Sequence, residues 1–194
     1  MTYHQEESPT YIFKLVLIGS AGVGKTCIAR RLCFDTFDAN TQLTIGIDFY
    51  TYDIPIIVSG EETFVRHTIW DFGGQEQFKK LFKYYIGGAD GIFLVFELVI
   101  METLTRLDWW YDQIKAYKLH DRPKILIGTK FDLIKGNGGN QKVDELIIQQ
   151  FLNNHNEKDY IKTSSRENIN ILYAFKEMTE KILDSNGLDY DKIL

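Results

Sequence analysis

The run Gly19-Ser20-Ala21-Gly22-Val23-Gly24-Lys25-Thr26 reads G-x-x-x-x-G-K-T and follows at once on Tyr11–Ile18 (YIFKLVLI). That apolar run has the character of a buried strand. Beyond the glycines, Ile28, Ala29, Leu32 and Cys33 recur with helical spacing. The loop therefore stands between a strand and a helix. Glycine there lets the backbone curl until several N–H groups point inward. Those groups and the helix N-terminus attract phosphate oxygens. Lys25 supplies a mobile positive charge for β- and γ-phosphates, and the Thr26 hydroxyl is placed to ligate Mg²⁺. A Gly-rich turn beside a solvated lysine is the bland alternative.

Such a loop serves ATP and GTP alike, so the base must be read elsewhere. Ile125-Leu126-Ile127-Gly128 has the look of another buried strand and ends in Thr129-Lys130-Phe131-Asp132. A carboxylate at Asp132 can accept from guanine N1–H and the exocyclic amine, a pair that adenine lacks. Lys130 can lay its methylene stem over the base. Alone, T-K-x-D is weak and fits a polar surface loop better; its place after a downstream strand favours the base. Further on, Asp159-Tyr160-Ile161 forms a short strand and runs into Thr163-Ser164-Ser165-Arg166, whose backbone N–H groups can reach guanine O6. Between these pieces, Thr44 lies in a polar segment after the first helix. Trp70-Asp71-Phe72-Gly73-Gly74-Gln75-Glu76 ends a strand and opens a helix. Asp71 can hold Mg²⁺ through water, the Gly74 N–H can face a γ-phosphate, and Gln75 can orient an attacking water.

With these motifs in order, the chain resembles a small GTPase of the Ras superfamily from about Phe13 to Leu183, and is most similar to the Rab branch. Thr44-Ile45-Gly46-Ile47-Asp48-Phe49 resembles the first Rab switch. Trp70-Asp71 with Gly74-Gln75-Glu76-Gln77-Phe78 resembles the second, and Tyr84-Tyr85-Ile86-Gly87-Gly88-Ala89 fits the element after it. The resemblance implies a P-loop NTPase G domain that binds GTP or GDP with Mg²⁺ as cofactor. It implies nucleotide contacts from Ala21, Gly22, Val23, Gly24, Lys25, Thr26 and Cys27, and from Phe37 stacked on guanine. Thr44, Gly74, Thr129, Lys130, Asp132, Ser164, Ser165 and Arg166 complete that set. Thr26 and Thr44 are the implied metal ligands, with Asp71 acting through water. Gln75 is the implied catalytic glutamine, helped by Lys25 and Gly74. Phe49, Trp70 and Tyr85 match an exposed aromatic triad that meets effectors. Read without the family, Phe49 and Trp70 fit core packing nearly as well.

The departures from the family pattern matter too. Thr129 stands where asparagine is usual, as in the Rho branch, so guanine recognition should survive. Ser165-Arg166 replaces Ala-Lys at a contact made by backbone. Phe72-Gly73 replaces the Rab Thr-Ala. Ala21 takes a position that is glycine in Ras and often serine in Rab, and an extra methyl there can crowd the glutamine and slow hydrolysis.

Strands are expected near 11–18, 47–58, 62–70, 90–97, 124–129 and 158–162, and helices near 25–34, 76–85, 101–118, 141–153 and 168–184. This alternation predicts an α/β domain: six strands, mostly parallel, with one antiparallel edge strand and about five helices on both faces. Pro55 cannot donate to a ladder, which puts the second strand at the edge, paired with the third through Val58-Ser59-Gly60-Glu61. Residues 1–10 are polar and expected to be disordered, 11–184 form the G domain, and 185–194 form a tail whose Asp184, Asp189 and Asp191 suggest a solvated end. Gly136-Asn137-Gly138-Gly139-Asn140 is expected to be a flexible loop. Trp110 keeps register with Leu107 and Ile114 and is expected in the core, with Trp109 half exposed.

A chain of 194 residues suits one domain, and its net charge of −5 argues against a nucleic-acid surface. Cys27 and Cys33 have the spacing of neither a disulfide framework nor a zinc site, and read as reduced, mostly buried thiols of a cytoplasmic protein. The four histidines show no ligand spacing. No window spans a membrane, Met1-Thr2 lacks the glycine for myristoylation, and Asp191-Lys192-Ile193-Leu194 has no cysteine near it. Either the chain does not anchor by lipid or a lipidated tail lies beyond this sequence. A monomer is expected, regulated by an effector, an exchange factor and an activating protein at the switches. No arginine adjoins the switches except Arg66, on a strand, so no arginine finger is assigned in cis. Three readings stay open: a GTP-hydrolysing switch, a GTP-binding module with negligible hydrolysis, and an ATP-dependent enzyme, which Asp132 disfavours.

Overall fold

The computed structural model describes residues 8–134 and 142–194. The apolar run Tyr11–Ile18 is strand β1, and Lys25–Phe34 is helix α1. Ile47–Val58 (β2) and Glu61–Phe72 (β3) form an antiparallel hairpin, turned at Ser59 and Gly60, which both have positive φ. Glu76–Tyr85 is α2, and Gly91–Glu97 is β4, buried along its whole length. Met101–Thr105 (α3) and Leu107–Ala116 (α4) follow, then Lys124–Thr129 (β5). Glu145–Asn154 (α5), Tyr160–Lys162 (β6), Ile171–Asn186 (α6) and Lys192–Ile193 (β7) complete the chain.

The sheet order is β6-β5-β4-β1-β3-β2-β7, with β1, β3, β4, β5 and β6 parallel. Two apolar layers flank it. Phe13, Leu15 and Leu17 pack with Ile28, Phe175 and Ile182 on one face, and Val16, Ile18, Phe72 and Phe96 pack with Phe82, Trp110 and Ile148 on the other. Alternation along β1 sends successive residues to opposite layers, as the strand period requires. Trp110 is buried and Trp109 half-buried, with the Lys79 ammonium 4.4 Å from the Trp109 ring centre.

Three expectations need correction. The sheet has seven strands, and β2 is flanked outside by β7. The tail does not run free. After Gly187, in the left-handed region, the chain turns back, the Asp191 N–H donates to Ile57 O at 2.7 Å, and the Leu194 N–H to Pro55 O at 2.9 Å. Only the Pro55 carbonyl is used there, so its missing N–H is tolerated. Asp191 accepts from the Gly60 N–H and Asp184 from the Tyr190 hydroxyl, so these acids staple the end. The helix expected over 101–118 breaks at Arg106 into α3 and α4. The cysteines are half-buried, with sulfurs near Thr41 Oγ1 and Thr51 O.

Of residues 1–10, Thr10 is tied to the sheet through the Phe64 carbonyl, at 3.0 Å. Residues 1–7 and the Gly136–Asn140 loop lie outside the described residues. Among the described residues no helix is long and apolar enough to cross a membrane.

Candidate nucleotide-binding site

The loops after β1, β3, β4, β5 and β6 meet at one rim of the sheet. Gly19 turns the chain out of β1 with φ 147°, and a Cβ there would collide with the Val95 carbonyl of β4, so only glycine fits. The loop reaches α1 through Gly24, also in the left-handed region. Ala21, Gly22, Gly24, Lys25, Thr26, Cys27, Thr44, Gly74 and Gln75 line one cleft. Gly22, Gly24 and Cys27 continue into a second, lined by Phe37, Thr129, Lys130, Asp132, Ser165 and Arg166. The expected phosphate, metal and base residues are thus brought together, from segments far apart in sequence. Val23, Ser164 and Asp71 are fully buried and line neither cleft. The Val23 carbonyl accepts from the Thr129 hydroxyl at 2.6 Å.

Lys25 is buried, with its ammonium donating to Gly19 O at 3.1 Å and Ser20 O at 2.8 Å. Burial pushes its pKa down, and the Asp71 carboxylate opposes that. Asp71 is fully buried; burial pushes its pKa up, against Lys25 and hydrogen bonds from Thr26 and Thr44. Thr26 Oγ1 lies 2.7 Å from Thr44 Oγ1, and both hydroxyls donate to Asp71 Oδ2. Asp71 Oδ1 has no hydrogen-bond partner among the described residues. Two hydroxyls and a buried carboxylate with a spare oxygen form a hard-oxygen set, which suits Mg²⁺. Gly74 comes so close to the loop that a Cβ would strike the Ala21 nitrogen, which explains glycine there.

At the base end the Ser164 hydroxyl donates to Asp132 Oδ1, and Thr129 Oγ1 also bonds Phe96 O at 3.0 Å. Lys130 holds a left-handed conformation, φ 58°, that costs a non-glycine residue about 1 kcal/mol. Its ammonium pairs with Glu97 Oε2 at 2.6 Å. Phe37 is partly exposed in the cleft wall.

A family model described as Ras family matches residues 14–184. The chain belongs to the Ras family. Ras-related protein Rab-18 of Lymnaea stagnalis is 32% identical over 185 residues, 95% of this chain and 87% of that protein. GTP-binding protein YPTM1 of Zea mays is 34% identical over 91% of this chain and 81% of that protein. GTP-binding protein ypt1 of Schizosaccharomyces pombe is 30% identical over 91% and 83%. Within the Ras family the chain is a Rab-like small GTPase.

The fold also adds residues that the motifs do not reveal. Glu97, a charge ending an otherwise apolar strand, is a signal of this kind and proves to be the partner of Lys130. Arg30 lines a cleft with Thr26, Thr44 and Asp48, and Arg106 lines another with Ala21, Gly74 and Gln75. Two arginines besides Arg66 therefore adjoin the switch segments, contrary to the reading from sequence. Tertiary packing alone brings them there. Arg106 is engaged by Glu102, at 2.6 Å.

Proposed function

We propose that this chain is a monomeric Mg²⁺-dependent GTP switch with slow intrinsic hydrolysis, whose two switch segments recruit partners in the GTP state. The observation that carries the reading is the convergence of Thr26, Thr44 and Asp71 on one another beside Lys25. Thr44 belongs to the first switch, Thr26 to the phosphate loop and Asp71 to the end of β3, so one site couples all three.

Thr26 and Thr44 would hold the metal directly and Asp71 through water; bound there, Mg²⁺ neutralises charge on the β- and γ-phosphates. Lys25 and the inward N–H groups of Gly22 and Gly24 bind the same phosphates and stabilise charge as it shifts toward the leaving oxygen. The Gly74 N–H donates to the γ-phosphate, which ties the second switch to the nucleotide. Gln75 orients a water in line with the breaking bond. Asp132 accepts from the guanine ring, Lys130 and Phe37 flank it, and Ser165 and Arg166 offer backbone N–H groups to O6. Loss of the γ-phosphate frees Thr44 and Gly74 together, and both segments relax.

Phe49, Trp70 and Tyr85 form the surface that such a change would present. The Phe49 ring meets Trp70 edge-on at 4.6 Å, Tyr85 lies 6.1 Å from Trp70, and Phe49 is 61% exposed. The Lys14 ammonium sits 3.6 Å from the Trp70 ring centre. Exposure of that degree favours partner binding over core packing for Phe49.

One observation favours a second reading, a GTP-binding module with negligible hydrolysis. Ala21 lines the clefts that hold Gly74 and Gln75, where its methyl can crowd the attacking water. Single-turnover hydrolysis of GTP with Mg²⁺ separates the two: phosphate release over hours supports the switch, and intact GTP with tight binding supports the module.

A further inference from the structure

Arg31 stands in the last turn of α1, the helix that begins with Lys25 and Thr26. Its guanidinium bridges two loops. Nε donates to Ser165 O at 2.7 Å, Nη2 approaches Arg166 O at 3.5 Å, and Nη1 donates to the backbone O and Oδ1 of Asp35 at 2.7 and 2.8 Å. The Arg31 side chain is 12% exposed, whereas that of Asp35 is 79% exposed. An exposed i,i+4 ion pair contributes little. A fork clasping carbonyls of a neighbouring loop is a different device.

That loop is stiffened from within. The Ser164 N–H donates to Ile169 O at 3.1 Å, the Ile169 N–H to Ser164 O at 2.8 Å, and the Glu167 N–H to Ser164 Oγ at 3.1 Å. Arg31, with the Asn168–Asp35 bond at 3.3 Å, joins it to the end of α1. Peptide units are planar, so fixing the Ser165 carbonyl toward α1 turns the Arg166 N–H to the opposite side and fixes the tilt of the whole unit. Ser165 and Arg166 line the base end of the cleft.

We propose that Arg31 is a positioning residue for base recognition: its guanidinium sets the Ser165–Arg166 peptide so that the N–H groups there meet guanine O6. This rests on the assignment of that loop to the base. One helix then carries the phosphate-binding residues at its start and the anchor of the base loop at its end, and nucleotide release is governed from both. The competing role is a plain helix cap, in which Arg31 only satisfies terminal carbonyls.

Base analogues tell the roles apart. In 6-thio-GDP the O6 acceptor is replaced by weakly accepting sulfur, and the groups that Asp132 reads are kept. Release of GDP and of 6-thio-GDP is measured for wild type, Arg31→Met and Arg31→Lys, with thermal melting of each loaded protein as the fold control. Losing charge-assisted bonds to the loop should speed GDP release about tenfold in Arg31→Met. Release of 6-thio-GDP should change far less, because its contact is already weak. Arg31→Lys, which keeps a cation but not the fork, should fall between, and it carries the comparison should Arg31→Met fail to fold. Equal acceleration for both nucleotides means a cap and overturns the proposal, as does unchanged GDP release. If wild type holds 6-thio-GDP as firmly as GDP, the assignment of the loop to O6 fails, and the proposal fails with it.

Discussion

The Ser164 hydroxyl donates to Asp132 Oδ1 at 2.6 Å, joining two loops that lie far apart in sequence. Ser164 is fully buried, so this bond orients the carboxylate that is proposed to read guanine. Ser164→Ala should weaken GDP binding by about 1 kcal/mol, the usual net value of such a bond. Asp132→Asn should lose GTP and favour xanthine nucleotide, whose oxygen replaces the amine. Wild type should prefer GTP over ATP by about 10⁴-fold, because adenine cannot offer the Asp132 carboxylate the pair of donors that guanine does. Competition of labelled GTP by GDP, ATP and XTP measures all three. ATP binding within tenfold of GTP would remove the base assignment.

Stability should depend on pH through His67. Burial against Phe13 and Phe175 pushes its pKa down to about 3, and Asp53 pulls it back only weakly. Its Nε2 lies 3.0 Å from Thr179 Oγ1, and its Nδ1 is buried without a partner among the described residues. Below the ordinary value of about 6.5 the unfolded chain takes up a proton that the native one refuses. Stability is therefore full above pH 6.5 and falls as pH drops toward 3. The slope is about 1.4 kcal/mol per unit, or about 2 kcal/mol between pH 6.5 and 5. Urea unfolding of the GDP-loaded protein at pH 7 and 5 reads this directly. His67→Phe should lose stability at pH 7 but show a shallower pH dependence. An unchanged slope in the variant would mean other groups carry it.

Much of the site was legible because its chemistry sits in contiguous motifs. Gly19–Thr26, Gly74-Gln75 and Thr129–Asp132 each state a local geometry. The apolar runs of β1 and β5 gave those strands to the residue, since a strand buried on both faces reads as a near-continuous apolar run. What stayed hidden depends on the chain returning to itself. β7 has only two residues and no period, and exists because Leu188, Tyr190 and Ile193 find the core layer beside β2. The Thr103 hydroxyl bonds Ile100 O and the Glu97 N–H and so ties the first turn of α3 to β4, a contact that helical periodicity does not reveal. Arg30, Arg31 and Glu97 carry no local mark of their partners.

The docked tail should contribute measurable stability. Leu188, Tyr190 and Ile193 are half-buried, and burying such side chains contributes about 1 kcal/mol each. Ending the chain at Gly187 should therefore lower unfolding free energy by about 2–3 kcal/mol. Nucleotide affinity should hold, because the latch sits at the end of β2 remote from Ile47. Asp191→Pro is a gentler test. It removes the N–H that bonds Ile57 and the carboxylate that bonds Gly60, and should raise amide exchange of Gly60 and Ile193. No change in exchange at these amides would mean the tail is not held in solution.

Thr44 should act as a latch for the first switch. Its hydroxyl lies beside Thr26 and Asp71, yet its neighbours Leu43 and Ile45 are exposed and give the segment little packing of its own. Order over 38–47 should then depend on the nucleotide. Thr44→Ala should leave GDP affinity within about twofold, since its contacts to Thr26 and Asp71 are each worth little on net. It should raise hydrogen exchange over 38–47 with a GTP analogue bound to the level seen with GDP. Equal protection with GDP and the analogue in wild type would remove the case for a switch.

Hydrolysis should divide cleanly between Gln75 and Lys25. Gln75 is half-buried at the start of α2 and lines the cleft with Ala21 and Gly74. Gln75→Leu should cut single-turnover hydrolysis about tenfold to a hundredfold, the penalty for a misplaced reactant, and leave GTP affinity intact. Lys25 is buried, donates to two loop carbonyls, and sits in the field of Asp71. Lys25→Ala removes a charge from the phosphate cradle and should lose nucleotide affinity outright. Wild-type turnover should be slow, on the order of 10⁻⁴ s⁻¹, which is a barrier of about 22 kcal/mol. Arg30 and Arg106 line the adjoining clefts, so each is tested as a charge supplied in cis. Arg106 is drawn to Glu102, and Arg30→Ala and Arg106→Ala should each change the rate less than threefold, roughly the effect of a distant screened charge. Ala21→Gly should raise the rate if the methyl crowds the water. A Gln75→Leu protein that hydrolyses GTP as fast as wild type would deprive Gln75 of its role and favour the binding-module reading.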